Sequence, residues 1–115
     1  AVKLVRQEPG RQDGIKITLT KRIPVGGGLG GGSSDAAATL VGLNQWWNLG
    51  WSTDRLAELG ARLGSDVPFF FYGPAAIVRG RGEIVEPTQV GTPLDVVLIT
   101  PTDRLSTKEV FANLK

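Results

Sequence analysis

Residues 15–21, Ile-Lys-Ile-Thr-Leu-Thr-Lys, alternate apolar and polar side chains, with Ile15, Ile17 and Leu19 on one face. A period of two predicts a half-buried strand. Beyond a glycine-rich loop, Leu40, Leu43 and Trp47 recur at helical spacing across residues 33–50. That stretch predicts a helix with Ser33 or Ser34 as N-cap, Asp35 in the first turn and Gly50 just past the end. A second helix is expected over about 53–63, capped by Ser52 or Thr53, striped by Leu56, Leu59 and Leu63, and stopped at Gly64. Residues 65–73 predict a short helix starting near Asp66, with Pro68 in its first turn. Residues 75–87 predict a hairpin turning at Gly80-Arg81-Gly82, and 94–101 a continuous apolar strand closed by Pro101. Ser106 and Glu109 make a capping box for a last helix, and the opening Ala-Val-Lys-Leu-Val-Arg-Gln reads as the close of a helix. Antiparallel strands with helices grouped together predict an α+β fold.

The 115 residues are the size of one domain, and 41% hydrophobic against 21% charged describes a globular chain. The net charge is +2, and only Lys21-Arg22 and the Arg79/Arg81 pair bring basic residues close together. No nucleic-acid partner is expected from so scattered a footprint. No apolar run approaches the ~20 residues of a membrane span, and no signal peptide is read, so no membrane partner is expected. The chain has no Cys and no His. It therefore offers no disulfide, no thiolate or imidazole zinc site and no Ser-His or Cys-His nucleophile. A metal here would be hard and oxygen-bound, with Mg²⁺ the natural candidate. The absence of Met suggests a piece of a longer protein.

The chemistry concentrates in the loop after the first strand, where six of the 16 glycines fall within residues 26–32. A glycine loop entering a helix lets backbone N–H groups approach an anion at the positive end of the helix dipole. Ser33 and Ser34 add hydroxyls for phosphate or Mg²⁺. A Walker A loop is excluded, because no Lys lies between Arg22 and Lys108. Gly26, Gly28 and Gly31 satisfy the dinucleotide spacing formally, but no acidic strand end follows about 20 residues on. A protein-kinase loop would need Val-Ala-Ile-Lys and His-Arg-Asp segments, and neither exists.

The string Pro24-Val-Gly-Gly-Gly-Leu-Gly-Gly-Gly-Ser-Ser-Asp-Ala-Ala37 resembles the second motif of the GHMP small-molecule kinases. Leu-Gly-Ser-Asp-Val-Pro-Phe-Phe at 63–70 and Gly-Arg-Gly-Glu-Ile at 80–84 extend that resemblance. They point to the branch that phosphorylates the 2-hydroxyl of a cytidine diphosphate ester of methylerythritol in non-mevalonate isoprenoid synthesis. The resemblance implies a two-domain kinase with a ribosomal-protein-S5-like first domain, here partial, over residues 1–92. The start of the second domain would occupy 93–115. ATP and Mg²⁺ are the implied cofactors, and the partner is a small molecule. Pro24, Gly26, Gly27, Gly28, Leu29, Gly30, Gly31, Gly32, Ser33 and Ser34 would hold the ATP phosphates. Asp66 would be the catalytic carboxylate, and Thr107 and Phe111 would line the cytosine pocket. Ser33 or Ser34 would be the hydroxyl ligand of Mg²⁺.

Bland roles are expected elsewhere. Asp35 is read as a structural residue of the helix start, Phe69–Phe71 as core, the three tryptophans as core and surface packing, and Arg79 and Arg81 as a solvated turn. Two family features are missing: a first strand whose Lys pairs with the catalytic Asp, and a third glycine-rich motif. The chain thus reads as the middle of an enzyme, inactive or nearly so by itself, from a bacterial cytoplasm or a plastid stroma. Another GHMP kinase acting on homoserine, mevalonate or galactose, or a silent anion-binding module, stays open as an alternative.

Overall fold

The computed structural model describes residues 1–8, 14–99 and 112–113. A short helix, α1 (Val2–Val5), precedes the long helix α2 (Gly31–Trp46) and the helix α3 (Thr53–Ala61). A 3₁₀ helix follows at Pro68–Phe71, and an antiparallel hairpin of β1 (Ala76–Arg79) and β2 (Ile84–Pro87) comes after it. Helices and a hairpin in separate runs make this an α+β chain.

The core forms where the predicted stripes meet. Leu40, Leu43 and Trp47 of α2 and its C-cap pack with Leu56 and Leu59 of α3 and Val5 of α1 into one buried cluster. Burial of a Leu side chain is worth about 1.5–3 kcal/mol, so these few residues do most of the holding. Leu63 departs from its expected stripe and is 38% exposed, because α3 ends at Ala61 and the chain turns away. Ser52 caps α3 by accepting the N–H of Arg55 at 3.2 Å, which settles the choice between Ser52 and Thr53. The α2–α3 turn is closed by Asn44, whose side chain accepts from Trp51 N–H and donates to Trp51 C=O, both at 3.0 Å.

Pro68 opens the 3₁₀ helix at its first position and is buried. The helix starts two residues after the expected Asp66, with Val67 as its cap. Its Phe run is core only in part: Phe71 is half-buried and packs against the central cluster, Phe69 is half-buried, and Phe70 is exposed. Space explains this. A Cβ on Gly60 would stand 2.9 Å from both Phe71 and Val67, so α3 already fills the near side of the 3₁₀ helix.

Two expected strands are not formed. Ile17 and Leu19 are exposed, and residues 15–19 carry no ladder, because no strand lies beside them among the described residues. Their alternation still orients them, since Ile15, Ile17 and Leu19 line a cavity of about 350 Å³ against Ala38, Leu43 and Trp46 of α2. Residues 94–99 likewise run without a strand partner among the described residues, with Leu94, Val96, Val97, Leu98 and Ile99 all at least 65% exposed. Pro101 and the capping box at Ser106 and Glu109 lie outside the described residues.

Candidate anion site at the glycine loop

The loop enters α2 through glycine rather than serine. Gly30 is the N-cap, in the left-handed region at φ 64° and ψ 10°, and makes no side-chain cap. This corrects the expected Ser33 or Ser34 cap: a left-handed residue is needed to aim the loop into the helix, and glycine adopts it without a Cβ penalty. The helix therefore begins inside the glycine run. Its first closed rung is Ser34 N–H to Gly30 C=O at 2.8 Å. The amides of Gly31, Gly32 and Ser33 precede that rung and have no acceptor within the helix.

The earlier start moves three side chains. Ser34 donates its hydroxyl back to Gly31 C=O at 2.9 Å, so that hydroxyl is occupied as a donor. The Ser33 hydroxyl has no partner among the described residues and lines the loop cavity. Asp35 becomes the fifth residue of α2, beyond the first turn. Its carboxylate takes the ammonium of Lys21 at 2.5 Å, across the whole loop.

The loop encloses a cavity of about 260 Å³, lined by Lys21, Pro24, Val25, all of residues 26–32 and Ser33. Among the described residues no carboxylate lines it. A wall of glycine amides, one ammonium and one free hydroxyl suits a polyphosphate and would repel nothing anionic. Close approach fixes the shape from behind. A Cβ on Gly31 would fall 2.7 Å from Ile23 and 2.9 Å from Lys21 Nζ, and one on Gly30 would fall 2.9 Å from the ring of Phe70. Gly30 and Gly31 are thus required by the packing as well as by the ligand they would admit.

Phe70 ties the loop to the segment carrying Asp66. The Asp66 carboxylate is exposed and accepts from the Ser65 hydroxyl at 3.2 Å. Among the described residues no basic group pairs with it. On the other side, the hairpin turn presses on the same segment, because Gly82 is buried, has φ 123°, and leaves only 2.4 Å between a would-be Cβ and Ser65 C=O. The turn expected to be simply solvated is therefore a buttress at Gly82, although Arg79 and Arg81 are exposed as expected. Arg79 pairs with Glu86 across the hairpin at 3.1 Å. Glu83 closes the turn by accepting from Arg81 N–H at 2.7 Å. Its carboxyl is held below the ordinary range by its own backbone N–H and then by that of Arg81.

The structure brings Pro24 and residues 26–33 together around the cavity, leaves Ser34 out of its lining with the hydroxyl turned back to Gly31, and places Asp66 before the short helix whose Phe70 meets the loop. It adds Lys21, Ile23, Phe70 and Gly82, which sequence reasoning missed. Lys21 left a signal as half of the Lys21-Arg22 pair, Gly82 as a turn glycine and Phe70 as part of an apolar run, but none of these signals pointed to the loop. Thr107 and Phe111 lie outside the described residues. No cluster of three or more acidic, His or Cys side chains suited to a metal occurs among the described residues. No helix among them is long and apolar enough to cross a membrane.

Residues 1–74 match the model of the GHMP kinases N terminal domain. The whole chain is 54% identical over 115 residues to a 4-diphosphocytidyl-2-C-methyl-D-erythritol kinase of Geobacillus sp. (strain WCH70), covering 40% of that protein. It is 51% identical over its full length to proteins of the same name from Shouchella clausii (strain KSM-K16), covering 39%, and Bacillus cereus (strain AH187), covering 40%. The chain thus spans about 40% of the length of the curated relatives it matches.

Proposed function

The chain belongs to the GHMP kinase family, and on that premise we propose that the protein containing it transfers the γ-phosphoryl group of ATP to the 2-hydroxyl of 4-diphosphocytidyl-2-C-methyl-D-erythritol. The observation that carries the reading is the glycine loop wrapped into the start of α2, with a carboxylate-free cavity walled by backbone amides. Full-length identity of 51–54% to kinases of that name supports the substrate.

The residues divide the work simply. The amides of Gly26 to Ser33 bind the phosphates and fix their orientation, which is the larger part of catalysis in phosphoryl transfer. Asp66 accepts the proton of the substrate hydroxyl as its oxygen attacks, and the Ser65 hydroxyl holds the carboxylate in line. Mg²⁺, when bound with the nucleotide, neutralises charge on the phosphates. Ser33 fits it better than Ser34, because Ser33 lines the loop cavity and Ser34 does not. The family resemblance supports Phe111 and Thr107 as the residues that would meet the cytosine. We place the nucleotide-binding domain at 1–92, supported by the hairpin's packing against Ser65, and the start of the second domain at 93–115. Bacterial relatives favour the cytoplasm over the plastid stroma as its location.

Asp66→Asn in the complete protein tests this. Turnover of the cytidyl substrate should fall by about 10²-fold or more while Mg-ADP affinity is kept. Unchanged turnover would transfer the role elsewhere, and absent turnover in the unaltered protein would favour a silent anion-binding module. The 115 residues alone are expected to give no turnover, since Asp66 has no basic partner among the described residues.

A further inference from the structure

We propose that Lys21 and Asp35 form a clamp that closes the base of the glycine loop and so sets the affinity of the site for nucleotide. The inference rests on the nucleotide reading above and assigns both residues a positioning role within it. The pair joins the last residue before the loop to the first carboxylate after it, and residues 22–34 hang between them. The two side chains are 26% and 31% exposed, and the ammonium sits on the carboxylate at 2.5 Å.

The placement of the two ends matters. Lys21 lines the loop cavity, whereas Asp35 lines the apolar cavity on the other side of the segment. Asp35 therefore holds the ammonium from behind, without presenting its own charge to the anion. The same ammonium lies 2.9 Å from where a Cβ of Gly31 would stand, against the first residue of α2. Pulling Lys21 toward Asp35 pins the strand-side end of the loop to the helix that supplies the amides. A pre-ordered loop spares the ordering cost that a free glycine run would meet on binding.

The sign of one substitution separates this from plain electrostatics. Asp35→Asn removes a negative charge near a polyanion and releases Lys21 toward it, so a purely electrostatic role predicts tighter nucleotide binding. The clamp predicts the reverse. In the complete protein, Asp35→Asn should weaken Mg-ADP binding about three- to fivefold, the upper part of the range for a partly exposed ion pair. The KM for ATP should rise by more than kcat falls. Lys21→Met should weaken binding at least as much, the double variant should add little to it, and Lys21→Arg should restore most of the loss. Without any ligand, hydrogen exchange at the amides of 26–32 should quicken in Asp35→Asn and not in Lys21→Arg.

Tighter or unchanged binding in Asp35→Asn, or unchanged loop exchange, overturns the clamp. If the unaltered protein does not bind Mg-ADP while loop exchange still quickens in Asp35→Asn, the nucleotide reading fails and the clamp stands as a loop-ordering device.

Discussion

At the scale of single residues, Trp47 shows how a core position can be right in kind and imperfect in detail. It is 3% exposed, as its place in the stripe predicts, yet its indole N–H is buried with no partner among the described residues. A buried unsatisfied donor costs about 1–3 kcal/mol. Trp47→Phe relieves that cost while losing part of the ring, so its effect on the unfolding free energy should stay within about 1.5 kcal/mol. Leu40→Ala, at 0% exposure with nothing polar to relieve, should cost about 2–5 kcal/mol in the same denaturant titration. A Trp47→Phe loss as large as the Leu40→Ala loss would mean that the indole N–H has a partner after all. Stripe spacing identified both residues. It was silent about the N–H, because hydrogen-bond satisfaction depends on what the opposite element presents.

Elements were legible where their cause is local. The hairpin lies where glycines 80 and 82 put it, α3 runs from the Ser52 cap, and Pro68 opens its short helix. Elements whose cause is distant were not. Residues 15–19 and 94–99 carry the right patterns for strands, but a strand exists only when another supplies the ladder, and no pattern within one segment reveals its neighbour. The start of α2 was misplaced for another reason. Serine is the better N-cap by propensity, but the loop needed a left-handed residue, so glycine won at Gly30 and Asp35 was freed for Lys21. The hairpin turn carries its own pH prediction. Since the fold depresses the Glu83 carboxyl below its ordinary 4.5, its contribution is present above that pH and is lost as the pH falls through the lowered value. The protection factor of the Arg81 amide should therefore drop as the pH is lowered below 4.5 and through the depressed value, and Glu83→Gln should abolish that dependence.

For the whole molecule, burial is uneven. Three helices and the cluster between them hold the middle of the chain, while the apolar residues 94–99 and the apolar face of 15–19 are left open. Among the described residues the first unfolding unit should be 88–99, which makes no strand or helix and buries nothing. Limited proteolysis should cut there before it cuts within α2 or α3, and a first cut inside 37–59 would contradict the placement of the core. Membership of the kinase family was readable because the contiguous string Pro24–Ala37 carries most of it. The Gly82 buttress was not, because it depends on two segments 17 positions apart, Ser65 and Gly82, meeting in space. The open strip has a meaning inside a cell as well. Leu94 to Ile99 is a run of unburied aliphatic side chains with one charge, Asp95. Chaperones and proteases read such a run as the mark of an unfinished product. If nothing covers it, these residues would set the lifetime of the polypeptide before the glycine loop ever met a ligand.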